Sequence, residues 1–302
     1  MIINKLINAL KRINIMAASI DIKLDCSHRA NYLLNSALTS NESITVQKLD
    51  DEKELIVSFT TYNKRIHDVH LVVESIAEQT LKPNRLILWL DEDEFTLETI
   101  PLILKKQMVR GLEVCFCPNY RSYKKLIPTL QKYPEANVIT IDDDVLYPHD
   151  MIEMLCNEHR RYPDSVIGHR VHKIKLDTNG EILQYKQWEH GVTDCLPSSL
   201  NVAIGVGGVL YPANILAEEC LNMNAFTNLA PNADDIWFKA MSLLNNKKHK
   251  KVNDNRPFWN RFLLLQDGQD IGLLNSNLFE NGNDSQIKAV FAKYQLYEKL
   301  NK

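Results

Sequence analysis

Thr140-Ile-Asp-Asp-Asp-Val-Leu-Tyr-Pro148 places three successive carboxylates at the end of an apolar run, Asn137–Asp142 (NVITID). Open parallel sheets bind ligands outside the carboxyl ends of their strands, so an acidic triplet there marks a site. In extended geometry Asp142 and Asp144 point to one face and Asp143 to the other. Crowded carboxylates raise one another's pKa unless a cation neutralises them. A hard, oxygen-ligated ion, Mn²⁺ or Mg²⁺, suits such a donor set and commonly also binds substrate phosphates. The plainer reading is a helix cap or a solvated acidic turn. It is weakened because Pro148, His149 and Asp150 already supply a start for the next helix.

Outward from this triplet the chain alternates. Glu54–Thr60 (ELIVSFT), Arg85–Leu90 (RLILWL) and Leu112–Cys117 (LEVCFC) read as three further strands. Helical spacing fills the intervals: Ile66–Thr80, a helix between Pro101 and Gly111, one within Tyr123–Tyr133, and His149–Tyr162. The pattern predicts an α/β fold with a mostly parallel, Rossmann-like central sheet flanked by helices. The second half is irregular. Ser165–Leu176 and Glu181–Tyr185 read as a strand pair turned by Asp177-Thr-Asn-Gly180, Ser199–Tyr211 contains a strand, and Asp234–Leu244 and Asp284–Leu300 read as helices.

Residues 1–50 stand apart from a main domain over 51–302. Ile3, Leu6, Ile7, Leu10 and Ile13 repeat at helical spacing beside Lys5, Lys11 and Arg12. Such a helix packs against the main domain or rests on an anionic membrane surface through residues 1–16. Residues 27–50 are polar and turn-rich, which reads as a linker or an irregular docking segment. The stretch MIINKLINALKRINIM lacks the apolar run and cleavage site of a secretory signal.

Composition excludes several classes. The net charge of -3 offers no basic excess for nucleic acid, and no run approaches the length of a membrane-spanning helix. Six cysteines without a Cys-x-x-Cys pair point to a reducing cytoplasm rather than a disulfide scaffold. Only 10 glycines occur in 302 residues, yet Gly205, Gly207 and Gly208 share one four-residue window. Glycine in a strand serves either close approach by a ligand or a packing bulge.

Other segments have the residue types of a binding site. Ser58-Phe-Thr-Thr-Tyr-Asn-Lys-Arg65 leaves the first strand; Tyr62 has a ring for a base and Arg65 a guanidinium for phosphate. Asp91 ends the second strand, where it can accept from a ribose or a base edge. Arg121, Lys124 and Lys125 follow the third and can offset diphosphate charge. Ala233-Asp-Asp-Ile-Trp-Phe238 leads a helix, and acids in a first turn also satisfy the helix dipole. Beside a metal site, Asp235 and then Asp234 become candidates for a general base, the dipole lowering the carboxylate pKa. Trp237 and the glycine window, with Gly207 and Gly208, would form an acceptor pocket. His169 and His172 lack zinc-site spacing, Cys115 and Cys117 share a strand face and pack, and Lys247–Lys251 reads as a solvated loop.

Taken together, SFTTYNKR, WLDEDE, SYKKLIP, VITIDDDVLYP, GVGGVLYP and NADDIWF resemble the GT-A glycosyltransferases. The nearest likeness is to bacterial family 2-related enzymes of surface polysaccharide biosynthesis. The resemblance implies a GT-A fold and transfer from a nucleotide-diphosphate sugar to a glycan or lipid-linked glycan hydroxyl, hexosyltransferase-type and inverting. By analogy Thr60, Tyr62 and Asp91 hold the nucleoside, Lys125 the diphosphate, and Asp142–Asp144 the ribose and metal, with Asp142 and Asp144 as metal ligands. The first-strand signature departs from the commoner form, and Asp234-Asp235 replaces a frequent Glu-Asp pair. A sugar nucleotidyltransferase would share the acidic strand end, but SFTTYNKR lacks its glycine- and basic-rich loop. A non-catalytic nucleotide- or glycan-binding protein on the same fold is the other alternative.

Overall fold

The computed structural model describes residues 2–48, 53–265 and 282–300, with side chains from Ile20 onward. A seven-stranded sheet forms the centre. Its strands are β1 (Leu55–Thr60), β2 (Arg85–Asp91), β3 (Leu112–Cys117), β4 (Asn137–Thr140), β6 (Ser165–Gly168), β10 (Val209–Tyr211) and β11 (Lys248–Lys251), in the order β11-β6-β10-β4-β1-β2-β3. All neighbours pair in parallel except β10, which runs antiparallel to both β4 and β6. Two small sheets flank it: β5 (Val145–Leu146) with β12 (Leu263–Leu264), and β7 (Val171–Lys173) between β8 (Glu189–His190) and β9 (Asn201–Ala203).

Helices cover both faces, so the central strands are apolar without alternation. Val57, Phe59 and Ile139 pack with α2 (Val69–Ala77) and α5 (Met151–Arg161); Val138, Val209 and Tyr211 pack with α7 (Asp234–Leu244). The expected mostly parallel sheet, flanked by helices, is the observed one. The remaining helices are α1 (Ile2–Thr39), α3 (Leu102–Val109), α4 (Ile127–Lys132), α6 (Met223–Leu229) and α8 (Gly282–Lys293). None of the described helices is long and apolar enough to cross a membrane.

Four expectations are corrected. The polar stretch after residue 27 is helical to Thr39, because one narrow face (Cys26, Leu33, Ala37) is enough to dock it. Ser36 Oγ donates to Glu74 Oε2 at 2.9 Å, and the buried Glu74 is held by Arg110 at 2.5 Å, tying α1 to α2 and α3. The Ile3–Ile13 stripe lies outside the described side chains. Glu181–Tyr185 is no strand; the partners of β7 are β8 and β9, and the turn keeps only a bridge between Leu176 and Ile182. The helix expected over Asp284–Leu300 ends at Lys293 and resumes as a 3₁₀ turn at Tyr297–Lys299.

Lys247–Lys251 is not a solvated loop: its residues form edge strand β11, where charge is tolerated and blunts further pairing. Lys250 Nζ reaches buried Glu158 at 2.5 Å, while His249 bonds Ser242 at 2.7 Å and accepts from the Ala203 amide at 3.0 Å. Cys115 and Cys117 pack beside Trp89, and all six cysteines are free.

Lys239, on α7, is fully buried, and its Nζ has no hydrogen-bond partner among the described residues. Burial drives its pKa well below the ordinary lysine value. The unfolded chain then takes up a proton that the folded chain refuses, so stability falls as pH drops below the unfolded lysine value of about 10.4. Lys239→Met should raise the melting temperature at pH 7, and by more there than at pH 10. An equal gain at both values would show that the ammonium is solvated in the fold.

Candidate active site

Strand order reverses at β1. β2 and β3 continue to one side of it and β4 lies on the other, so the β1/β4 boundary is the topological switch point of the sheet. Both strands point their carboxyl ends the same way. The exit of β1 supplies Thr60–Arg65, and the exit of β4 supplies Asp142–Asp144, with a turn at Asp143 and Asp144.

Asp143 turns inward. Thr61 Oγ1 donates to its Oδ2 at 2.6 Å, and Arg65 Nη1 to its Oδ1 at 2.7 Å. Arg65 Nη2 also reaches Asp144 Oδ2 at 3.1 Å. Burial pushes the Asp143 carboxyl up to about 6, against the opposing pull of Arg65. Asp142 and Asp144 stay partly exposed, but Asp143 and Asp144 lie in a turn rather than in extended backbone, so one guanidinium, Arg65, reaches both of them. The Asp142 backbone N–H donates to buried Tyr147 Oη at 2.9 Å, which fixes the turn.

Lys125, from the 3₁₀ turn Arg121–Lys125, joins the two acidic groups. Its Nζ lies 3.0 Å from Asp142 Oδ1 and 3.0 Å from Asp234 Oδ2. Burial alone would depress this lysine, but Asp142 and Asp234 outweigh it and hold its pKa well above the ordinary value. The Asp235 Oδ2 accepts from the Gly205 N–H at 3.2 Å, whereas its Oδ1 is enclosed without a partner among the described residues. A β-carbon at Gly205 would stand 2.7 Å from Lys125 Nζ and 3.1 Å from Asp142 Oδ1, so glycine leaves the ion pair its room.

The site differs from expectation at several residues. Thr60 donates to the Trp89 carbonyl at 2.9 Å, so its proton serves the β1–β2 edge; Thr61, not singled out, binds the triplet instead. Arg65 clamps carboxylates and lies over Tyr62, its guanidinium 5.5 Å from the ring centroid. Asp91 is buried, 3.8 Å from Lys124, and its Oδ1 accepts from the Asp93 amide at 3.0 Å. Arg121 donates to Asn232 at 2.7 Å.

Trp237 lines no pocket. It is fully buried on the core face of α7 and donates to the Cys220 carbonyl at 3.2 Å. Gly207 and Gly208 serve packing. A β-carbon on Gly207 would meet the Arg170 amide nitrogen at 2.9 Å, and Gly208 has φ of 82° with Met151 Sδ 3.2 Å from the β-carbon position. Asp235 also departs from expectation. Burial, with Asp234 beside it, pushes its pKa above the carboxylate range, overriding the helix dipole. Lys125, Asp142–Asp144, Asp234 and Asp235 are thus brought together. Thr61, Gly205 and Tyr147 complete the group; each lies inside a motif quoted above, and Gly205 belongs to the glycine window.

Hard carboxylate oxygens at Asp142 and Asp144 suit Mn²⁺ or Mg²⁺, which are commonly held by one or two carboxylates plus phosphate oxygens and water. Among the described residues no three His, Cys, Asp or Glu side chains form a closed cage. Two carboxylates of this kind would need phosphate oxygens or water to complete the coordination of such an ion.

No protein-family model and no curated protein matches the chain. Among solved structures it is similar to S. aureus TarS 1–349 in complex with UDP. The two share 16% identity and a TM-score of 0.44 over 67% of this chain and 58% of that one. The chain thus spans less than two thirds of that structure's length, and the site rests on its own geometry.

Removing one partner from a buried ion pair leaves an uncompensated charge, at a cost of about 3–5 kcal/mol. Arg65→Gln should destabilise the protein by that order in urea unfolding. Adding Asp143→Asn to Arg65→Gln should recover most of the loss. Additive losses in the double variant would show that the two side chains are not coupled.

Proposed function

We propose that this chain is a metal-dependent, inverting glycosyltransferase of the GT-A class. It would move a sugar from a nucleotide-diphosphate sugar to a glycan or lipid-linked glycan hydroxyl in surface polysaccharide assembly. One observation carries the reading: across the switch point, Lys125 bridges the triplet at the end of β4 to the acidic pair that opens α7. A diphosphate site and a proton acceptor are what displacement at a sugar carbon requires, on opposite sides of that carbon.

In this reading Asp142 and Asp144 hold the cation and, through it, the diphosphate, while Tyr62 flanks the nucleoside. A divalent cation there would supply Lewis-acid stabilisation of the departing diphosphate. Arg65 and Thr61 keep Asp143 fixed, so the turn does not have to reorganise during transfer. Lys125 can exchange carboxylate for phosphate oxygen when donor enters. Asp234 Oδ2 faces the Lys125 ammonium at 3.0 Å, whereas Asp235 Oδ1 has no partner among the described residues and its carboxyl a raised pKa, which suits a base operating near neutral pH.

Calorimetry with UDP and GDP, with and without Mn²⁺, should show that whichever nucleotide binds does so more tightly with the metal, and that Asp144→Ala removes the difference. Equal affinity in every condition sinks the metal-assisted reading. Asp235→Asn should keep donor and metal binding but slow transfer by roughly 10²–10⁴-fold, the contribution of a positioned base. NMR of the product should show an inverted anomeric centre. A retained configuration, or near-normal turnover in Asp235→Asn, overturns the assignment of the base.

A further inference from the structure

From Ile20 to Thr39 helix α1 has two apolar stripes, and the described body of the protein uses one. Cys26, Leu33 and Ala37 face the core. On another face Ile20, Leu24, Leu34 and Leu38 are exposed, at 54%, 52%, 38% and 52%. Their spacing is not arbitrary. It falls on a strict seven-residue repeat whose a positions are Ile3, Leu10, Ala17, Leu24, Asn31 and Leu38. The d positions are Leu6, Ile13, Ile20, Ser27 and Leu34. Only Ser27 and Asn31 are polar among them.

We propose that α1 is one strand of a parallel two-stranded coiled coil, its outer seam covered by the same helix of a second copy of this chain. Three observations select that occupant. First, the repeat holds a period of 3.5 through the whole helix, whereas a helix serving a flat surface drifts by about 20° per heptad from that period. A seam that stays in line over Ile2–Thr39 needs a partner that supercoils with it. Second, the cations Lys5, Lys11 and Arg12 occupy outer b and c positions, beyond the seam. Third, Asn31 is exposed at an a position, where a single buried asparagine in each strand fixes register and two-strandedness.

The size is sufficient. At 1.5 Å per residue the 38-residue helix is about 57 Å long. With the a and d side chains of the full repeat taking part, a seam about 10 Å wide over that length would cover roughly 600 Å² per chain, or roughly 1,200 Å² in total, above the roughly 1,000 Å² that a specific interface needs. The proposal stands apart from the reaction assigned above, since none of the seam residues belongs to the acidic site.

Light scattering and sedimentation on the full chain, from sub-micromolar to tens of micromolar, should give twice the chain mass. Leu24→Asp combined with Leu34→Asp should weaken the dimer by at least roughly 100-fold by placing charges in a desolvated seam. Circular dichroism should show that variant folded, because both positions face solvent in the monomer. Ser27→Cys should form a disulfide-linked dimer under mild oxidation that the unmodified chain does not form, since d positions of parallel strands face one another. This arm decides the question if the double variant fails to fold. A monomer at all concentrations overturns the proposal, as does a dimer indifferent to Leu24→Asp and Leu34→Asp. Failure of Ser27→Cys to cross-link overturns it too. So does a monomer that binds vesicles containing phosphatidylglycerol and loses that binding in the double variant; the stripe would then be a membrane face.

Discussion

The ammonium of Lys125, 3.0 Å from Asp142 and 3.0 Å from Asp234, allows two acidic groups from distant parts of the chain to share one crevice. Five carboxylates meet there, Asp142–Asp144, Asp234 and Asp235, and among the described residues Lys125 and Arg65 are cations that pair with them. Without those partners the group could persist only by taking up protons, because burial and mutual repulsion both disfavour the charged form. Burial leaves the Asp143 and Asp235 carboxyls raised all the same. Under the proposed function, a divalent cation would neutralise acidic charge of this kind.

Rigidity around this charge comes from ordinary packing. Tyr123, two residues before Lys125, stacks on Phe226 at 4.3 Å and donates to the Ala230 carbonyl at 2.5 Å, anchoring the turn that carries the lysine. Trp237, Phe238 and Met241 sink α7 into the same cluster, so its first turn is held where Asp234 and Asp235 are needed. The glycine window lets β10 and its preceding turn press against these elements. Gly205 makes room for the ion pair, while Gly207 and Gly208 allow close approach of the chain to itself.

The N-terminal helix answers to another constraint. Its docked residues, Cys26, Leu33 and Ala37, have the ordinary spacing of a core-facing stripe, while Ile20, Leu24, Leu34 and Leu38 lie exposed on another face. The contacts of Ser36 with α2 and of Arg29 with its C-cap Glu78, at 2.9 Å and 2.5 Å, hold the second half of the helix in a fixed orientation relative to the acidic site. Pairing through α1 would therefore set two acidic sites in a defined relation.

The sequence by itself determined the parts governed by local periodicity. Buried parallel strands need continuous apolar runs, so β1 to β4 were legible in ELIVSFT, RLILWL, LEVCFC and NVITID, as were α7 and the acidic triplet at its strand end. Tertiary structure decided what depends on neighbours. KKHKK reads as solvent-exposed until Glu158 and Ser242 are placed beside Lys250 and His249. Trp237 reads as a pocket wall until the orientation of α7 turns it into the core, and the glycines read equally as ligand clearance or a packing bulge until Arg170 and Met151 are seen against them. The Asp235 pKa went the same way: a helix N-terminus lowers a carboxylate in isolation, but burial and the adjacent Asp234 outweigh the dipole. Residue type and spacing fix which chemistry a segment can offer. Burial and charge pairing, set by segments far away in the chain, fix which of it is used.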